Sequence, residues 1–227
     1  MDLTELEKNI GITFTNRGLL ETALIHRSYI NENRSIKEHN ERLEFLGDAV
    51  LELIVTHFLY LNYNRPEGEL TSWRSALVRG ENLAHVARKL KLGTYLYISH
   101  GEERSGGRDK DYILANTCEA LIGAIYLDKG MDRTSHFVHE HIIELLPQIL
   151  EQGLHVDPKS LLQEMSQARA EITPEYRMLA DEGPDHEKIF TMGAYIRGEL
   201  VGSGKGSSKQ NAEQEAAKDA LHKLGWL

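Results

Sequence analysis

The 227-residue sequence predicts an all-α domain followed by a smaller α+β domain with the element order α-β-β-β-α. Up to about residue 150, apolar residues recur mainly at the three- and four-residue spacing of helices. After residue 157, three runs of strand-forming residues lie between two helical segments. We therefore expect domains at 1–150 and 157–227, joined by a short linker at 151–156.

Composition describes an ordinary globular chain, 41% hydrophobic, with no apolar run near the roughly 18 residues of a membrane span. The N-terminal sequence MDLTELEKNI lacks the basic and apolar regions of a signal peptide. The single cysteine, Cys118, agrees with a reducing compartment and is interpreted as a small buried residue. We therefore expect a cytoplasmic protein without a membrane partner.

The net charge of −9 argues against broad, non-specific binding to phosphates, which depends on lysine and arginine. Dividing the chain does not change this, because residues 157–227 carry 9 Lys and Arg against 12 Asp and Glu. Any contact with nucleic acid must therefore come from local basic clusters.

The first domain is predicted to be a series of helices at 3–10, 16–30, 40–59, from about 71, 81–90, 113–128 and about 131–150. The turn at 64–68 ends the third of these, because Pro66 disfavours helix at the residue before it. Thr71 is a suitable N-cap for the next helix. The polar segment 31–39 and the glycine-rich segment 99–112 are predicted loops.

The predicted helix that starts with the segment Asn40–Leu53 has one acidic side. At about 100° per residue, Glu41, Glu44 and Asp48 lie within roughly 60° of one another. The opposite side is apolar, with Leu43, Leu46, Val50 and Leu53. Like charges at this spacing repel, so the arrangement is unfavourable unless a cation binds there. Oxygen ligands suit Mg²⁺ or Mn²⁺, although a solvated acidic surface is the alternative interpretation.

A second polar pair lies in the helix Ile113–Asp128, where Asn116 and Glu119 share one face among apolar neighbours. An unpaired carboxylate in such surroundings is costly to bury. Its partner is either an arginine or the same cation that the acidic helix faces.

The second domain begins with Asp157 as a predicted N-cap, followed by Pro158 at the first helical position. Strands are predicted at 175–180, 189–197 and 199–203, and a final helix at about 208–224. Lys205 and Lys209 flank the start of that final helix, whose free N–H groups suit a phosphate.

Residues 41–51, ERLEFLGDAVL, resemble the signature of the bacterial ribonuclease III family of double-strand-specific endoribonucleases. The resemblance implies that residues 1–150 form a metal-dependent endonuclease domain. The catalytic residues that it implies are Asp48, Glu119, Glu41 and Glu67. The metal ligands are Glu44, Asn116, Glu119 and Asp48, with Mg²⁺ as the ion and Mn²⁺ as a substitute.

The chain departs from the family pattern at Asn116, where an Asp is common. The amide can offer an oxygen but adds no charge and cannot act as a base, so its role is open. The family also acts as a homodimer through the endonuclease domain. Phe45 and Leu46 are compatible with such a subunit contact, although core packing would explain them equally well.

The element order of the second domain and the segment 204–214, GKGSSKQNAEQ, resemble the double-stranded-RNA-binding domain. By this resemblance the RNA-binding residues are Gln163, Glu164, His186, Lys205, Ser208 and Lys209. Gln210 replaces a lysine common in that motif, which should weaken the phosphate contact.

The two resemblances together imply an enzyme that cleaves double-stranded RNA to 5′-phosphate and 3′-hydroxyl products by Mg²⁺-dependent hydrolysis. Ribosomal RNA precursors and messenger RNA are the expected substrates. One alternative is a catalytically weak or inactive regulator that binds double-stranded RNA, which Asn116 favours. Another is a helical metal-dependent hydrolase of nucleotides, which would leave the second domain without a role.

Overall fold

The computed structural model describes residues 2–184 and 188–226. The chain forms two compact units, one ending at His155 and the other beginning at Val156. The last helix of the first unit ends at Glu151, so the division falls within the segment expected to be a linker. No helix in the described parts of the chain combines the length and apolarity needed to cross a membrane.

The first unit is helical. Its α-helices are α1 (Thr4–Asn9), α2 (Arg17–Ala23), α3 (Arg27–Ile30), α4 (Glu41–Asn62), α5 (Glu67–Val78), α6 (Gly80–Lys89), α7 (His100–Arg104), α8 (Asp111–His141) and α9 (Leu146–Glu151). Short 3-10 helices occur at Leu92–Tyr95, Gly107–Asp109 and Ile143–Leu145. The core of the unit is apolar and continuous, and it includes Cys118, which is fully buried as predicted.

The long helices α4 and α8 pack against each other at the centre of this unit. They approach so closely that a Cβ atom at Gly47 would lie 1.8 Å from the carbonyl oxygen of Glu119. A Cβ at Gly123 would likewise lie 2.3 Å from the carbonyl oxygen of Leu43. Only glycine fits at these two positions, so backbone contacts backbone where the helices cross.

Helix α8 consists of two helical segments that meet at a kink. The backbone at Gly130 is not helical, with φ of 76° and ψ of −178°, so the break predicted between the helices at 113–128 and 131–150 is present. Glycine adopts this conformation without steric strain. Pro147, the predicted end of a helix, instead lies in the first turn of α9, where its missing N–H is no disadvantage.

Four further predictions about the first unit are wrong in detail. The first is the loop expected at 99–112, which contains α7 and a 3-10 helix. The segment 16–30 forms two helices, because Ile25 between them pairs with Tyr97 in an isolated bridge. Helix α5 begins at Glu67 rather than near Thr71, whose hydroxyl donates a hydrogen bond of 3.0 Å to Glu67 Oε1. Leu53 is 56% exposed and therefore does not belong to the packed face of α4.

The second unit has the predicted order α-β-β-β-α. Its elements are α10 (Pro158–Ala170), β1 (Glu175–Glu182), β2 (Ile189–Ile196), β3 (Glu199–Gly206) and α11 (Lys209–Lys223). The strands form an antiparallel sheet in the order β1-β2-β3, in register through the pairs Met178↔Met192 and Met192↔Gly204.

Helix α11 lies close to β3 because glycines line that part of the strand. A Cβ at Gly202 would be 2.4 Å from the amide nitrogen of Ala220, and one at Gly204 would be 2.2 Å from that of Ala216. Helix and strand are thus in near backbone contact, and the small core includes Leu162, Met192 and Ala194. This packing holds the start of α11 beside the end of β3.

The contact of α4 with α8 predicts a large effect of Gly47→Ala. The added methyl group has no space at the crossing, so the free energy of unfolding should fall by at least about 2 kcal/mol in urea titrations. Gly68→Ala in α5 is the matched control, because its Cβ would meet no atom within 4 Å. The control should be neutral or slightly stabilising. Equal stability of the two variants would contradict the close crossing.

Candidate active site

The predicted acidic residues of α4 and α8 come together beside the crossing of the two helices. Glu44 is half-buried, and its pKa is raised, first by burial and then by the charge of Glu41, with a smaller contribution from Asp48. A hydrogen bond from the Asn116 side chain acts in the opposite direction and lowers the pKa of Glu44. Residues from both helices therefore share one polar site.

Glu119 is the acidic residue that α8 contributes to this site. Burial raises its pKa to about 7, and the carboxylates of Asp48 and Glu44 contribute in the same direction. The sequence left either an arginine or a shared cation as the partner of Glu119. The charged groups that shift its pKa are the carboxylates of Asp48 and Glu44 rather than an arginine. The site is thus short of positive charge.

The donor atoms are suited to a hard divalent cation. Glu44, Asp48 and Glu119 offer carboxylate oxygens and Asn116 offers an amide oxygen, the ligand type that Mg²⁺ and Mn²⁺ prefer. Among the described residues, no three His, Cys, Asp or Glu side chains already stand in an arrangement that could hold a metal ion. The chemistry of the site therefore fits such a cation, whereas the side chains would have to adjust to coordinate it.

Glu41 lies at the edge of the cluster, with its side chain about half exposed. Its carboxylate is 3.5 Å from Arg27 Nη1 and 3.8 Å from His39 Nδ1. The charge of Glu41 still reaches Glu44, whose pKa it raises. Arg27 is a residue whose contact with the site the sequence did not predict, because it lies on a different helix with no spacing relation to Glu41.

Glu67 is not part of the cluster within one chain. It is the first residue of α5 and lines a groove together with Asn62 and Arg65. Asn62 follows Asp48 by 14 residues in the same helix, which corresponds to about 21 Å along the axis. The sequence-based set of catalytic residues is therefore divided between two places in a single chain.

Gly47 and Gly123 are the other residues that sequence reasoning missed. Neither carries a reactive group, yet each allows the approach that brings Glu44 close to Asn116. Their signal was present in the sequence, since an isolated glycine inside an apolar helical pattern indicates close packing or function.

In the second unit, the expected RNA-binding residues lie on α10 and around the start of α11. Lys205 and Lys209 are exposed, and Ser208 is the N-cap of α11, where its side chain accepts a hydrogen bond of 3.1 Å from the amide of Asn211. Gln163 and Glu164 are exposed on α10. His186 lies outside the described residues.

Comparison with known proteins assigns a family to both units. A ribonuclease-III-like family model matches residues 16–146, and a double-stranded RNA binding motif matches residues 158–224. Ribonuclease 3 of Pelotomaculum thermopropionicum is 49% identical over 97% of this chain and 92% of its own length. Ribonuclease 3 of Dehalococcoides mccartyi is 44% identical over 99% of this chain and 95% of its own length.

The first unit is also similar to solved structures. The nuclease domain of ribonuclease III from Campylobacter jejuni has a TM-score of 0.60 and 37% identity, covering 64% of this chain and 99% of that one. That structure is described as flexible in a region involved in dimer formation. The ribonuclease 3 relatives match along nearly the whole length of this chain, and the ribonuclease-III-like model matches most of its helical unit. This chain therefore belongs to the ribonuclease III family and is an endoribonuclease.

Proposed function

We propose that this protein hydrolyses double-stranded RNA with the aid of Mg²⁺ and leaves 5′-phosphate and 3′-hydroxyl ends. The observation that carries the proposal is the meeting of the α4 and α8 carboxylates in a chain that also contains a double-stranded RNA binding motif. We assign the nuclease domain to residues 1–150, the linker to 151–156 and the RNA-binding domain to 157–227. Precursors of ribosomal RNA and messenger RNA in the cytoplasm are the proposed substrates.

The metal-binding residues in this proposal are Glu44, Asp48 and Glu119, with Asn116 beside them and Mn²⁺ as a substitute ion. A bound divalent cation supplies a water of lowered pKa and stabilises the leaving oxygen. Burial and the neighbouring carboxylates favour the protonated form of Glu119 in the absence of a cation. Glu41, beside Arg27, lies at the edge of the cluster and adds negative charge there.

The proposed RNA-binding surface recognises the shape of a duplex. The N-terminus of α11 presents free N–H groups, and Lys205 and Lys209 add full positive charges next to it. Such a cluster can bind phosphates although the chain as a whole has a net charge of −9. Gln163 and Glu164 of α10, with His186, would contact the minor grooves and their 2′-hydroxyl groups.

A homodimer through the nuclease domain is supported by the apolar residues that α4 leaves exposed. Phe45 is 80% exposed, Tyr60 is 75% exposed and Leu53 is 56% exposed. At 100° per residue these three positions fall within about 80° of one another, so they form one stripe along the helix. A stripe of this kind on a soluble domain indicates a protein interface, and we propose a second copy of the chain as its partner.

The proposed dimer also gives Glu67 a place in catalysis. About 21 Å of helix separates the acidic cluster from the groove that contains Glu67, so Glu67 cannot serve the cluster of its own chain. In a two-fold dimer whose α4 helices pack antiparallel, the end of one α4 lies beside the beginning of the other. We therefore propose that Glu67 completes the site of the partner subunit.

The second candidate function is a regulator that binds double-stranded RNA without cutting it. The observation in its favour is Asn116, which removes one negative charge from the site. Glu44, Asp48 and Glu119 still offer carboxylate oxygens, the ligand type that a hard divalent cation prefers.

The proposed activity predicts that the purified protein cuts a long RNA duplex in Mg²⁺ and not in chelator. Glu119→Gln should bind the duplex normally but cut it at least about 100-fold more slowly, because a metal ligand is lost. Glu140→Gln is the matched control, since Glu140 lies on the same helix with a side chain 59% exposed. Binding without cutting by the parent protein would instead support the regulator.

The proposed dimer predicts that Phe45→Ser weakens self-association. Loss of a large, 80% exposed apolar side chain from the proposed interface should raise the dimer dissociation constant at least about 30-fold, as measured by sedimentation equilibrium. Leu200→Ser, which changes a residue 53% exposed in the second unit, should have no such effect. The same dissociation constant for both variants would refute a dimer formed through this stripe.

The position of Glu67 predicts complementation between two inactive variants. When Glu67→Ala and Glu119→Gln chains are mixed, half of the dimers contain one chain of each kind. If Glu67 serves the partner, each mixed dimer has one intact site and should nick one strand of the duplex. If Glu67 served its own chain, both sites would be defective and mixing would restore no activity. Gel analysis of nicked products separates these results.

A further inference from the structure

Polar side chains tie helices α10 and α11 of the second unit together at one point. The Gln214 side chain donates a hydrogen bond of 2.6 Å to Asp157 Oδ2 and accepts one of 3.4 Å from the backbone N–H of Lys159. Next to these hydrogen bonds, Lys159 Nζ lies 2.6 Å from Glu213 Oε2. We call these four residues the interhelix clip, since they join the start of α10 to the second turn of α11.

Both members of the clip on α10 are held by a second contact. Asp157 is the N-cap of the helix, and its Oδ1 accepts a hydrogen bond of 2.7 Å from the amide of Ser160. The ammonium group of Lys159 lies 4.9 Å from the centre of the Tyr176 ring. The Lys159 and Glu213 side chains are only 32% and 22% exposed, so water screens their attraction less than on an open surface.

The apolar contact between the two helices determines their position along each other only weakly. Helices are held in register where large side chains of one fit into the grooves of the other. The buried residues of α11 are Ala212, Ala216, Ala217, Ala220 and Leu221. Alanine side chains are too short to form high ridges, so resistance to sliding of α10 along α11 comes from the polar clip.

The clip lies between the two groups of proposed RNA-binding residues. Gln163 follows Lys159 by four positions on α10, and Lys209 precedes Glu213 by four positions on α11. Residues four positions apart share a face of a helix and are about 6 Å apart along its axis. The clip is therefore one helical turn from each group, and its geometry sets the distance between them.

We propose that the clip, with Gln214 at its centre, is a positioning element that makes the second unit selective for the shape of an RNA duplex. A domain of this type contacts two successive minor grooves of A-form RNA and the phosphates between them. The minor groove is wide and shallow in A-form RNA but only about 6 Å wide in B-form DNA. A fixed distance between α10 and the start of α11 therefore favours RNA. The inference rests on the proposed RNA-binding surface and adds the contact that sets its spacing.

The first test compares the full-length parent with Gln214→Ala in chelator, where RNA is not cut. Dissociation constants are measured at low salt for an RNA duplex and a DNA duplex of the same sequence. Loss of the two amide hydrogen bonds should raise the dissociation constant for RNA about tenfold and that for DNA less than about twofold. A role in stability alone would instead change both constants together or, well below the melting temperature, neither. Either result would contradict the positioning role.

The second test reverses the ion pair. Lys159→Glu places two carboxylates at the clip and should weaken RNA binding about tenfold, because like charges push the helices apart. Adding Glu213→Lys restores an ion pair of opposite polarity and should return the dissociation constant to within about threefold of the parent value. No recovery in the double variant would show that Lys159 acts on the RNA itself and would overturn the proposal.

Lys223→Glu is the matched control for the charge change. It removes an ion pair of 2.6 Å with Asp219 on the same helix, ten residues beyond Glu213. That separation is about 15 Å along the axis. The control should therefore change the ratio of the dissociation constants for RNA and DNA less than about twofold.

The parent protein separates this inference from the proposed function. If the parent does not bind the RNA duplex, the proposed RNA-binding surface is wrong and the inference falls with it. If the parent prefers RNA to DNA and Gln214→Ala keeps the full preference, the RNA-binding surface stands and the clip has no positioning role.

Discussion

The direct backbone contact between α4 and α8 is the constraint on which the nuclease unit depends. Gly47 and Gly123 interlock, each against the backbone of the opposite helix, so the spacing of the two helices is fixed. Apolar residues of both helices are buried in the same core, and the acidic residues lie beside it. A backbone-to-backbone contact is thus next to a group of like charges.

This arrangement places packing and electrostatics in opposition. Burial and mutual repulsion raise the pKa values of Glu44 and Glu119, which indicates side chains held together against their electrostatic preference. The close crossing of the helices keeps these side chains near one another, and Asn116 acts on the pKa of Glu44 in the opposite direction, lowering it. The backbone of the two helices is thus fixed before a cation arrives, and the side chains are the part of the site that has to adjust.

Regular periodicity made much of the structure predictable. The acidic side of α4 followed from 100° per residue, and the α-β-β-β-α order followed from alternation and turn residues. The break at Gly130 also followed from the sequence, since glycine indicates an interruption of a helical pattern and the backbone there is not helical. The distance of Glu67 from Asp48 was hidden, because a linear sequence does not show how far a 22-residue helix carries the chain. Leu53 followed the apolar pattern, but its side chain is 56% exposed.

The crossing at Gly47 makes the nuclease unit more sensitive to changes of length than to changes of residue type. Many positions on the solvent side of α4 can exchange side chains without disturbing α8. Inserting or deleting one residue between Glu44 and Asp48 would instead rotate the rest of the helix by about 100°. The glycine would leave the crossing and a side chain would take its place, while the carboxylates would point to different sides. Through this segment, homologous sequences should therefore align without gaps even where their residues differ.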